Sequence, residues 1–121
     1  MAKPVKSIRP SATVAATGDV HSPASNTAAT RTLTPASGEC VCISQIHWGY
    51  DGDPTGGALQ IKIGSDYFFG PHPITSGGAG YTEFDPPMKF AKDAAPIITL
   101  AAGGSGISGH LSKVNWWSEP P

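Results

Sequence analysis

Charged side chains are scarce in this chain. They make up 14% of 121 residues, eight Lys or Arg against nine Asp or Glu, for a formal net charge of −1. Cysteine is scarcer still, with only Cys40 and Cys42. Two thiols one residue apart point to the same face of a strand and are poorly placed to bridge. A disulfide scaffold is therefore excluded, and two buried, reduced thiols are expected, as in a protein made in a reducing cytoplasm. The pair has neither the spacing nor the further ligands of a zinc or redox site. No run approaches the ~20 apolar residues of a membrane span. No apolar stretch follows the basic start, so no signal peptide is expected. The first 37 residues contain no Phe, Tyr or Trp at all.

What is abundant is turn chemistry. Glycine and proline supply 15 and 12 residues, which disfavours helices, because both residues break helix interiors. Ten aromatics and a near-zero net charge also do not fit a fully disordered chain. The near-neutral charge is a cancellation. Residues 1–37 carry Lys3, Lys6, Arg9 and Arg31 against Asp19, or +3, and the remainder sums to −4. Residues 1–37 are thus expected to form a basic, extended arm too poor in apolar side chains to build its own core. The remaining residues read as a mildly acidic body over 38–117 with a short tail over 118–121.

Within the body, short strands alternate with turn signals. The longest candidate is Cys40–Tyr50, apolar on both faces at its start. Ala58–Ile63 alternates cleanly, with Leu59, Ile61 and Ile63 inward and Gln60 and Lys62 outward. Shorter strands are expected at Tyr67–Phe69, Gly80–Phe84, Met88–Phe90, Pro96–Ala102 and His110–Trp117. The prolines of 70–80 and of Asp85-Pro-Pro87 are expected to interrupt the sheet. The fold expected is all-β: an antiparallel β-sandwich of jelly-roll type with an extended N-terminal arm.

Motifs that would carry catalysis are wanting. Gly104-Ser-Gly-Ile-Ser-Gly109 matches G-x-G-x-x-G, but a dinucleotide site needs a helix to follow, and a strand pattern follows instead. A glycine turn between strands explains the same residues. His21, His47, His72 and His110 share no metal-ligand spacing. Asp51, Asp53, Asp66, Glu83, Asp85 and Asp93 fall mostly at turns, where such side chains bond the backbone. No enzyme activity, cofactor or metal is expected. Nucleic-acid binding is disfavoured by the acidic body and scattered arm charges. Trp116 and Trp117 must point to opposite faces of a strand, so one of them faces away from the core.

Three runs carry a resemblance: Ile43-Ser-Gln-Ile-His-Trp-Gly-Tyr-Asp-Gly-Asp-Pro-Thr-Gly-Gly-Ala-Leu-Gln-Ile, Phe84-Asp-Pro-Pro-Met-Lys-Phe, and Ile98-Thr-Leu-Ala-Ala-Gly-Gly-Ser-Gly-Ile-Ser-Gly-His-Leu. Over about residues 40–117 the chain resembles small β-sandwich virion proteins of tailed bacteriophages. The resemblance implies a capsid decoration or cement protein, often trimeric, on the outer surface of the virion. Its partner would be the major capsid protein. The expected capsid contacts are Lys3, Lys6, Arg9 and Arg31 of the arm, and the expected subunit contacts are His47, Trp48 and Trp117. The alternative is a carbohydrate-binding accessory module, since exposed Trp48 or Trp117 rings would stack on sugars.

Overall fold

Seven strands and no helix make up residues 24–121, the part of the chain that the computed structural model describes. They are β1 (Ala29–Thr32), β2 (Cys40–Tyr50), β3 (Gly57–Ile63), β4 (Asp66–Ile74), β5 (Gly78–Lys89), β6 (Ile97–Leu100) and β7 (Gly109–Glu119). All pairings are antiparallel. One sheet has the order β1-β6-β3-β4 and the other β5-β2-β7. The two sheets share one apolar core. Ala29, Leu59, Ile61, Ile98 and Leu100 come from the first, and Val41, Ile43, Ile46, Tyr50, Leu111 and Val114 from the second. Leu59 and Ile61 are fully buried, as their alternation with Gln60 and Lys62 predicts.

Three expectations change. The boundary at residue 37 moves, because β1 lies inside the segment read as arm. Ala29 pairs with Leu100, and both Ala29 and Leu33 are fully buried. Short aliphatic residues sufficed there, since β6 supplies the partner strand. Residues 118 and 119 are likewise not tail: β7 continues through Glu119, which pairs with Cys40. The prolines, third, do not stop their strands. Pro71 and Pro73 lie in β4, and Pro86 and Pro87 in β5. Both are edge strands, where a missing N–H need not break a ladder. In β5 the prolines also sit in a bulge. Between the pairs Ile43–Met88 and Gln45–Glu83, β2 has one residue and β5 has four.

That irregularity explains the mixed pattern of β2. Before Ser44 the odd positions Val41 and Ile43 face the core. After it the even positions Ile46 and Tyr50 do. One extra residue in a strand reverses the facing of all that follow. No single parity therefore describes Cys40–Tyr50.

The glycine run of 103–109 joins β6 to β7 across the two sheets. Gly104 and Gly106 have φ of 97° and 78°, a region that L side chains avoid. Gly103 and Gly109 serve packing. A Cβ at Gly103 would come within 3.0 Å of the Tyr50 ring, and one at Gly109 within 2.9 Å. Turn acids bind backbone as expected. Asp51 Oδ1 accepts from Ser108 N at 2.8 Å, Asp53 Oδ1 from Gly77 N at 2.7 Å, and Asp93 Oδ1 from Gly38 N at 2.6 Å.

Candidate functional site

Because opposite residues in a ladder share a face, the register of β5-β2-β7 defines the outward surface of that sheet. At one end, Cys40 lies opposite Glu119, and Cys42 lies between Lys89 and Trp117. Past the Ser44 bulge, Gln45 lies between Glu83 and Asn115, and His47 between Tyr81 and Lys113. Ile46 and Val114 point the other way, into the core. The outer face therefore has an apolar end and a polar, aromatic end.

The apolar end is a pocket of about 170 Å³ lined by Cys42, Pro87, Lys89, Trp117 and Glu119. Trp117 Nε1 donates to Glu119 Oε1 at 2.9 Å, and Lys89 Nζ stands 3.0 Å from Glu119 Oε2. Glu119 thereby holds both rims, and its hydrogen bond raises the Lys89 pKa. Cys42 is 2% exposed. Burial, reinforced by the Glu119 carboxylate, pushes its thiol from 9.0 up to about 12. A thiol so held is protonated at neutral pH and is no nucleophile.

Two consequences follow from that shift. At pH 8 the native chain has on the order of a thousandfold fewer Cys42 thiolates than a free thiol of pKa 9.0. Iodoacetamide should label Cys42 at least about a hundredfold more slowly in the native chain than in urea, as read by peptide mass spectrometry. Equal rates would mean that the pocket is open to reagent. The native state also keeps a proton that the unfolded chain releases above pH 9. Stability should thus fall as pH climbs from 9 towards 12.

At the polar end, His47 Nε2 donates to Gln45 Oε1 at 2.8 Å, and Asn115 Nδ2 donates to the same oxygen at 3.0 Å. The His47 and Tyr81 rings stack with centroids 5.5 Å apart and planes at 21°. Tyr81 is 60% exposed. Beyond this row, Gly49 leaves room for the His110 ring. A Cβ there would stand 2.9 Å from His110 Nε2.

The residues singled out from sequence are thus separated. Lys3, Lys6 and Arg9 lie outside the described residues, as does His21. Arg31 sits in β1, opposite Ile98, and so belongs to the body. His47 and Trp117 share the outer face but stand in different rows. Trp48 points inward: it packs against the core, and its ring covers Gly80, where a Cβ would come within 2.5 Å of it. Trp116 also packs against the core, whereas Trp117 does not join it. The opposition expected of those two neighbours holds. The residues that sequence reading missed here are Gln45, Tyr81, Lys89, Asn115 and Glu119. They come from three strands, and only the bulged register aligns them.

Among the described residues, no group of three or more His, Cys, Asp or Glu side chains is placed to hold a metal ion. No helix there is long and apolar enough to cross a membrane. Comparison with protein-family models, curated proteins and solved structures gives no match. Function is therefore read from the chemistry of the surface.

Proposed function

We propose that this chain is a structural component of a tailed-phage virion, a decoration protein that binds the outer capsid surface as a homotrimer and acts without catalysis. In this reading the two sheets form a sandwich of jelly-roll type. The chain changes sheet at every connection but β3–β4, an alternation unlike that of a meander. The observation that carries an assembly role is the aromatic tip beside the β3–β4 turn. Tyr67 and Phe68 are 53% and 50% exposed. Phe68 is the extra residue of a β4 bulge, between Ile61–Phe69 and Lys62–Tyr67. It meets the buried Phe90 ring edge-on at 5.4 Å, and the Lys62 ammonium lies 4.7 Å from the Tyr67 ring centre. Large apolar side chains left exposed together on a small body mark a contact surface. With Trp48 turned inward, Tyr67 and Phe68 replace it as the proposed contact. The basic side chains Lys3, Lys6 and Arg9 would add salt-sensitive attraction to an acidic shell. Multivalent attachment would let weak single contacts sum.

In this reading a tailed phage encodes the chain, and that phage provides the test. Purified heads should contain the chain. A variant lacking residues 2–23, which spares β1, should keep its β-sheet circular dichroism and lose at least about tenfold in head occupancy. Heads free of the chain would overturn the reading. Unchanged occupancy would overturn the role of Lys3, Lys6 and Arg9.

A further inference from the structure

The polar end of the outer sheet face is the part of the molecule whose chemistry exceeds what folding needs. Three strands bring six side chains together there: Tyr81, His47 and Lys113 in one row, and Glu83, Gln45 and Asn115 in the next. Strand spacing sets the patch at roughly 10 Å across three strands and about 7 Å along them. Within it, Gln45 Oε1 already accepts from both His47 Nε2 and Asn115 Nδ2. Those bonds hold the centre of the patch still while leaving the Gln45 amide nitrogen, with its two hydrogens, available. Asn115 Oδ1 is shielded from solvent and accepts nothing within the described residues. With no surface of its own to offer, Asn115 acts on the patch through Gln45, whose oxygen its amide nitrogen holds. Beside these groups the Tyr81 ring stands largely in solvent, steadied on one side by the stacked His47 ring.

The charges narrow the ligand. Glu83 and Lys113 cancel, so the patch carries no net charge to attract a phosphate polymer or an acidic peptide. An aromatic surface ringed by paired donors and acceptors suits a molecule with an apolar C–H face and many hydroxyls. A hydroxyl both donates and accepts, so it can accept from the Gln45 amide nitrogen or the Lys113 ammonium and donate to the Glu83 carboxylate. We propose that this patch is a binding site for an uncharged sugar, with Tyr81 as the stacking platform, Gln45, Glu83 and Lys113 as the hydroxyl-reading groups, and Asn115 and His47 holding Gln45 in place. The site is independent of the capsid reading, since it lies on the opposite sheet from Tyr67 and Phe68. It also differs from the Trp48 and Trp117 platform that sequence suggested, because neither of those rings is presented to solvent as Tyr81 is.

The experiment is an amide-resolved NMR titration of the full chain with three probes: the methyl glycosides of glucose, galactose and N-acetylglucosamine. At least one should give saturable shifts centred on Gln45, His47, Tyr81 and Lys113, with a millimolar Kd. Tyr81→Ala should weaken that binding by about tenfold or more. Tyr81→Phe should retain it, and Phe68→Ala, an exposed ring on the other sheet, should leave it unchanged. Because Tyr81 is exposed, Tyr81→Ala should fold, and its own spectrum reports whether it does. Absence of saturable shifts with all three glycosides would overturn the proposal. So would binding that survives Tyr81→Ala, or shifts centred on the Cys42 pocket instead. None of these outcomes bears on head occupancy.

Discussion

Leu100→Ala is expected to lower the unfolding free energy by about 2–5 kcal/mol. Leu100 is fully buried and sits in β6, the strand between β1 and β3. It lies opposite Ala29 on one side and Leu59 on the other. Its Cδ2 also stands where a Cβ on Gly109 would intrude, 2.9 Å away, so it reaches the start of β7 in the other sheet. Truncation would therefore open a void between three strands of one sheet and the neighbouring layer. The antiparallel ladders around it leave little freedom to collapse. Against a typical total of about 5–15 kcal/mol, the loss is large. Urea denaturation of the two proteins measures it directly. A change below about 1 kcal/mol would mean that β6 is not the centre of a shared core.

The second large effect is expected from one oxygen atom. Tyr50 is 1% exposed, and its hydroxyl donates to Ala101 O at 2.6 Å and accepts from Ala58 N at 3.3 Å. Tyr50 ends β2, whereas Ala58 is in β3 and Ala101 follows β6. The side chain therefore ties the second sheet to the first where Ala101 N also bonds Ala58 O at 2.8 Å. Gly103 and Gly109 make space for the ring. Tyr50→Phe keeps the ring and the packing but leaves two backbone groups without this partner. A loss of about 2–4 kcal/mol is expected, since each unmet buried group costs about 1–3 kcal/mol. The midpoint of thermal unfolding should drop by roughly 8 °C or more. A variant as stable as the parent would show that water reaches the site and replaces the hydroxyl. Burial raises the pKa of this phenol above 10.0. The native state thus holds a proton that unfolded chains lose in strong base, and its contribution to stability declines as pH rises above 10.

Much of the fold is legible in the sequence. Leu59, Ile61 and Ile63 declared their facing by strict alternation, and β3 folds as that pattern requires. Trp116 and Trp117, adjacent in a strand, had to part, and they do. Elsewhere the pattern misled for specific reasons. Thr-rich residues 29–32 looked too poor in apolar side chains to order, yet β6 offers a ready edge and Ala29 needs only a small gap. Pro71, Pro73, Pro86 and Pro87 looked like strand breakers, but position at a sheet edge is a property of topology. Trp48 looked exposed, because the phase of β2 reverses at Ser44 and no local signal marks that bulge.

The outer face shows the same division more sharply. Its members Gln45, Tyr81 and Asn115 are ordinary residues in their own strands. Each becomes part of a patch only through the register of β5 and β7 on β2, and one slipped residue would scatter them. From the sequence alone came the all-β character, the turn glycines, the backbone-binding acids and the basic excess of the first residues. These are local consequences of side-chain shape, backbone freedom and charge. Only the tertiary structure decided which strands lie at edges, where the body begins, which face of β2 is inward and which side chains meet outside it. Those are decided by pairing between residues far apart in the chain, and nothing in their immediate neighbours encodes it.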